Sequence, residues 1–288
     1  MQCLFTIRLK QQKIFLWLKE NNLIDLQSTP DTREIPLEKV GVRKLKYPVS
    51  VLDKKNGTQM TTASVDLYVN LPHDYKGTHM SRFIDIFHRH YRNLGMRQFL
   101  VMLSEIRESL SAERAFGSMK FPFFMEKSAP VSREKSIMCY TCTYEGDVAF
   151  DSVTKKNTED FRLKIEVPVT TVCPCSKAIS EYGAHNQRGI VTVTLSNKSL
   201  FWIEDVIEAI ESSASSGLYS LLKRSDEKYV TEHAYDNPRF VEDVVREVYI
   251  ALKNFKGSEK PFSWFKVECE NFESIHNHNA YACTEYNG

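Results

Sequence analysis

Residues 171–189, TVCPCSKAISEYGAHNQRG, bring Cys173, Cys175, His185 and Arg188 into one short polar stretch. Thiolate sulfur and imidazole nitrogen are the usual donors for zinc and borderline divalent ions, and a thiolate is also a nucleophile. Cys-x-Cys with a central proline is tighter than the common Cys-x2-Cys of structural zinc sites, so two small buried hydrophobes is the competing reading. A cysteine facing a histidine across a tight loop favours a metal or thiolate site and does not choose between the two.

Three further clusters carry chemistry. In ESIHNHNAYA, residues 273–282, alternation places His276 and His278 on one face. In LKRSDEKYVTEHAYDNPRFVEDVVR, residues 222–246, Asp226 and Glu227 read as the link between two helices. Glu242 falls in the first turns of the second helix, where it could simply offset the helix dipole. In DYKGTHMSRF, residues 74–83, Lys76, His79 and Arg82 surround a Gly-Thr helix start, and cations there suit a phosphate. Neither a Walker motif nor GxGxxG is present, so that signal is weak by itself. Lys177 is a further candidate for the same anion. Cys139 and Cys142 resemble half a zinc site, but they lie in a strand-like run whose spacing turns the two thiols to opposite faces.

The elements that must hold these groups show the same order twice. Residues 40–71 predict a long hairpin turning at Asn56-Gly57. Helices follow near 79–92 and 95–113, the second carrying Phe99, Leu103, Ile106 and Leu110 at helical spacing, then strands near 118–126 and 136–150. The second half predicts strands near 160–172 and 188–197, helices near 202–223 and 237–254, and strands near 262–272 and 278–285. Asn237-Pro238 reads as the cap of the second of those helices. Both halves read ββααββ, an α+β fold of antiparallel sheets with paired helices. The first half joins its leading strands by a tight turn. The second spends about fifteen residues there, and a long inter-strand loop is usually functional.

The chain has 288 residues, 42% hydrophobic and 26% charged, with a formal net charge of +1. That is ordinary globular composition, with no basic field for nucleic acid. The longest apolar run of the N-terminus, Ile14–Leu18, is too short to span a membrane or serve as a signal core. Seven cysteines, an odd number in a long chain, point to a reduced cytoplasmic protein.

Taken together, VPVTTVCPCSKAISEYGAHNQRG, LKRSDEKYVTEHAYDNPRFVEDVVR, ENFESIHNHNAYA, LPHDYKGTHMSRF and DTREIPLEKVGV resemble the sequence blocks of GTP cyclohydrolase type IB, in order across roughly residues 24–288. The resemblance implies two tandem tunnelling-fold units, 39–152 and 153–288, after an extension and entry segment, 1–38. It implies homotetramers in which sheets close into barrels, with active sites at subunit interfaces. The activity implied converts GTP and water to formate and 7,8-dihydroneopterin triphosphate, a step of folate synthesis. Cys173, His185, Glu227 and His276 would lie at or near a divalent metal ion (zinc, manganese or iron(II)), with Cys173, His185 and His276 catalytic. Glu242 would hold the guanine edge, and Lys76, His79, Arg82 and Lys177 the triphosphate. Cys175 is left to packing. Two relatives of that fold share much of this logic: a cyclohydrolase giving a cyclic-phosphate product, and an NADPH-dependent deazaguanine nitrile reductase with a cysteine nucleophile.

Overall fold

The computed structural model describes residues 25–151, 154–197, 200–255 and 262–288. Expectations for residues 1–23 lie outside the described residues. The alternating stretches form strands: β1 (Leu37–Asp53) and β2 (Gly57–Leu71) first, β3 (Arg114–Ser128) and β4 (Lys135–Asp151) after two helices, α1 (Met80–His90) and α2 (Met96–Ser109). Gly57 turns the first hairpin at φ 77°, a left-handed conformation open to glycine without a Cβ penalty. Asp53 ties the turn by accepting from the backbone N–H groups of Lys55 and Asn56.

The second half runs β5 (Lys156–Val172), α3 (Pro174–Ile179), β6 (Asn186–Asn197), α4 (Ile203–Ser213), β7 (Ser216–Gly217), α5 (Arg224–Asp236), α6 (Val241–Lys253), β8 (Phe262–Phe272) and β9 (Ala280–Asn287). The strands make one antiparallel sheet in the order β1-β2-β3-β4-β5-β6-β8-β9, with β7 added to β5. The α+β expectation and the leading ββααββ order therefore hold.

Helices cover one face of the sheet, and the core lies between. The buried positions alternate as the sequence requires: Val65, Leu67 and Val69 on β2, Ile165, Val167 and Val169 on β5, Val191, Val193 and Leu195 on β6. Phe99 and Leu103 bring α2 down onto a cross-strand glycine pair, Gly117 and Gly146. A Cβ at Gly146 would stand 2.6 Å from Leu103 and 3.0 Å from Phe99, so the bare backbone sets how closely the helix approaches.

Four expectations need correction. The helix expected over 202–223 ends at Ser213, and a separate helix, α5, follows. The run Ser212-Ser213-Ala214-Ser215-Ser216-Gly217 offers hydroxyls that compete for backbone groups and no apolar face to bury. Asp226 and Glu227 therefore sit in the first turn of α5, not in a link. Asn237 closes α5 and does not cap α6; the α6 start is held by Asp243, whose carboxylate accepts from the Phe240 N–H at 3.1 Å. Finally, β9 begins at Ala280, so His276 and His278 lie in a loop, 273–279, between β8 and β9.

Candidate functional site

The pairing of β5 with β4 stops at Glu166 and Thr141. Beyond that, β7 takes over the same edge of β5 at Val169 and Thr170. The wedge between the diverging strands holds a part-buried ion pair, Lys127 with Glu211 at 2.6 Å, and Tyr140 donates to the same carboxylate at 2.9 Å. This arrangement isolates the far end of β5, where the chain turns at Cys173.

Three segments converge there. The Cys173 N–H donates to the His185 carbonyl at 3.1 Å, closing the long β5–β6 loop at its base. The Ser176 hydroxyl links the same two residues, donating to the Cys173 carbonyl at 3.1 Å and accepting from the His185 N–H at 3.2 Å. Cys173 is the N-cap of α3, and its sulfur accepts from the Ser176 N–H at 3.5 Å. The β8–β9 loop reaches in through Ser274, whose hydroxyl lies 3.3 Å from His185 Nδ1. The α5–α6 link arrives from the helix side. Arg239 N–H donates to the Val172 carbonyl at 3.0 Å, Asn237 to the Ala214 carbonyl at 2.9 Å, and Lys177 to the Tyr235 carbonyl. The Val172 N–H is held by buried Ser215 at 3.1 Å. Lys177 also lies 4.2 Å from the Tyr235 ring centroid.

The Cys173–His185 pairing expected from the sequence is thus built into the backbone. Glu242 lies in the first turn of α6, just past the link, and its side chain is exposed. His276 is exposed in the β8–β9 loop and stacks on His278, ring centroids 5.2 Å apart. Glu227 sits at the other end of α5 from Tyr235. Its neighbour Asp226 docks that end on the β3–β4 turn by accepting from the Val131 and Ser132 N–H groups, each at 2.8 Å, and from the Ser132 hydroxyl. Burial alone would raise the Asp226 pKa, yet these bonds hold the carboxyl well below the usual range. Among the described residues, no three His, Cys, Asp or Glu side chains are already gathered to hold a metal ion.

Cys175 does not pack: it is exposed, whereas Cys142 and Cys269 are buried and burial pushes both thiols up. Cys139 is exposed on the face opposite Cys142, as the strand reading requires. All described cysteines are free. The rim of the site is apolar and bare, with Ile179 85%, Tyr182 97% and Ile275 63% exposed.

The basic cluster lies elsewhere. His79 caps α1 and meets Asp25 at 3.2 Å, Arg82 donates to the Ser109 carbonyl at 2.9 Å, and Lys76 is exposed. His79, Arg82, Asn70, Thr78 and Ser111 line a polar cavity of about 140 Å³. Following the registers from Leu71 through β3 and β4 reaches Asn157 on β5, the opposite end of that strand from Cys173. Sixteen residues at about 3.3 Å each separate the two levels by roughly 50 Å. Within one chain the two clusters cannot touch the same small molecule.

The sequence reading missed Gln187, Ser215, Asn237, Ser274 and Glu273. Gln187 had a signal: it is the one long polar residue on the β6 face that otherwise reads Gly189, Val191, Val193 and Leu195. Glu273 continues the β8 register to the level of Gln187 and has a buried carboxylate oxygen with no hydrogen-bond partner. The donors at this end, thiolate sulfur and imidazole nitrogen with an orphaned carboxylate oxygen nearby, fit a borderline divalent ion.

Residues 23–282 match the family model described as type I GTP cyclohydrolase folE2. The chain is 51% identical to the GTP cyclohydrolase FolE2 of Geobacter sp. (strain M21), over 93% of this chain and 97% of the relative. It is 52% identical to the GTP cyclohydrolase FolE2 of Syntrophus aciditrophicus, over 91% of this chain and 99% of the relative. Among solved structures, a uricase from Bacillus fastidious aligns with a TM-score of 0.52 at 7% identity, over 86% of this chain and 92% of that one. That likeness concerns the fold alone.

Proposed function

This chain belongs to the type I GTP cyclohydrolase FolE2 family, and from that membership and the geometry at the end of β5 we propose that it is the type IB enzyme, a metal-dependent hydrolase that opens the imidazole ring of GTP. The products in this reading are formate and 7,8-dihydroneopterin triphosphate, which enters folate synthesis. The observation that carries it is the joined Cys173–His185 pair, closed by a 3.1 Å backbone bond and met by the loop that carries His276 and by the link that leads into the Glu242 helix.

Cys173 and His185 would hold the divalent ion, zinc, manganese or iron(II), with Glu227 and His276 completing or approaching its shell. When bound, the ion lowers the pKa of a water that can add to C8 of guanine. Glu242 presents two acceptor oxygens to N1–H and the exocyclic amine of guanine, and adenine lacks the N1 donor. Breaking the C8–N9 bond leaves a nitrogen that must gain a proton, and the His276 imidazole would supply it. The bare apolar rim of Ile179, Tyr182 and Ile275 suits cover by substrate or by a neighbouring subunit.

The triphosphate is assigned to Lys76, His79 and Arg82, with Lys177 assisting from the near side. Because the first three lie roughly 50 Å from Cys173 along the sheet, the reading requires a second subunit to bring them in. That agrees with a homotetramer of barrels with shared sites, built from the units 39–152 and 153–288. Among the described residues no helix is long and apolar enough to cross a membrane. Free cysteines suit the reduced cytoplasm to which we assign the protein. The test is incubation of metal-reconstituted protein with GTP, followed by oxidation. A fluorescent neopterin phosphate is expected, and its absence with each of the three ions would overturn the reading.

A further inference from the structure

The core face of β5 and β6 is an apolar ladder, Leu163 with Leu195, Ile165 with Val193, Val167 with Val191. At the site end it changes character: Thr171, fully buried, pairs with Gln187, 7% exposed. Two polar side chains in that position have a bland explanation if they only satisfy each other. They do more than that. The Gln187 amide nitrogen donates to Thr171 Oγ1 at 2.9 Å, and its amide oxygen lies 3.1 Å from His185 Nδ1. An amide oxygen can only accept. An uncharged imidazole facing it therefore carries its proton on Nδ1 and keeps the lone pair of Nε2 free. The Ser274 hydroxyl, 3.3 Å from the same nitrogen, leaves that assignment intact because it also can accept.

We propose that Gln187, oriented by Thr171, is a positioning residue that fixes the Nδ1–H tautomer and ring plane of His185, so that Nε2 is the atom offered to the divalent ion. This rests on the reading of His185 as a ligand, and it adds the residue that prepares it. A histidine whose second nitrogen is tied in this way loses little freedom on binding an ion, and removing such outer partners typically costs about 10–100-fold in metal affinity. The effect of Gln187 reaches the site only through the ring of His185.

The experiment uses full-length, metal-free protein labelled with 15N in the histidine imidazoles, at about pH 8, where an ordinary histidine is neutral. The His185 signals are assigned by their loss in His185→Gln. The wild type is expected to show Nδ1 protonated, and a dominant Nε2–H form overturns the proposal. Gln187→Met keeps the bulk and removes the acceptor. It should release the tautomer preference and weaken zinc binding by roughly 10–100-fold, with GTP absent from the measurement. Gln187→Glu, which still accepts from Nδ1–H, should restore both readouts toward wild type. Thr171→Val should loosen the tautomer by freeing the amide to flip. Unchanged tautomer and zinc affinity in Gln187→Met overturns the proposal. Should that variant fail to fold, the wild-type spectrum and Thr171→Val decide it alone. Because neither readout involves turnover, failure here is separate from failure of the cyclohydrolase reading.

Discussion

If Cys173 and Arg82 serve one substrate from two different subunits, two inactive variants should repair each other. Cys173→Ala removes the sulfur donor, and Arg82→Ala removes a cation from the α1 cavity, some 50 Å away along the same chain. Each variant alone makes assemblies in which every site is defective. In a mixed assembly, a site built from the Cys173 side of one chain and the Arg82 side of another is intact when both sides come from the right parent. With equal amounts and random assortment that probability is one half times one half over all assemblies; tandem purification removes the unmixed tetramers, about one eighth of the total, so about two sevenths of sites recover in the mixed ones. A site drawn from a single chain never recovers, whatever the mixture. The assay is co-expression of the two variants with different affinity tags, tandem purification of mixed oligomers, and GTP turnover per subunit. Recovery near two sevenths supports the shared site. Tandem-purified mixed oligomers with no activity above the separate variants would refute it, and Arg82→Ala with full activity alone would refute the triphosphate assignment.

Other expectations follow from the same geometry. Glu242→Gln keeps shape but loses a charged acceptor worth roughly 1.5–3 kcal/mol per bond, so GTP affinity by calorimetry should fall at least about tenfold. Wild type should discriminate against ATP, and equal ATP binding would leave Glu242 with only the dipole role. Cys173→Ala should lose bound metal, measured by elemental analysis, and turnover, while its thermal unfolding stays close to wild type. Gly117→Ala and Gly146→Ala should each cost about 1–3 kcal/mol in chemical denaturation, because each Cβ runs into Leu103 and Phe99. Their costs should not add, since both displace the same two side chains.

Much of this was legible in the residues. The strand alternation of Leu163–Val169 and Ile190–Leu195 gave the sheet, and the Cys173–His185 apposition followed from a loop forced to close between two paired strands. What failed was local. α5 has few apolar positions, and it is anchored by the buried Asp226 carboxylate on the β3–β4 turn, a contact between residues ninety-four and ninety-five apart in sequence that no periodicity reports. The helix expected through 214–223 ignored a serine-rich run that breaks it. Gln187 and Ser274 are ordinary residues until registry places them against His185. The distance between the basic cluster and Cys173 was hidden for the same reason: sequence blocks show which residues matter together, while strand registers show which of them can meet in one chain.

The central claim is that this site removes C8 of GTP by hydrolysis, and the direct measurement follows that carbon. Metal-reconstituted protein is incubated with GTP isotopically labelled at C8, and labelled formate is quantified against GTP consumed. The account predicts one labelled formate per GTP, with all three phosphates retained in a pterin product. Consumption of GTP with the label still in the purine, or with phosphate release alone, would contradict it.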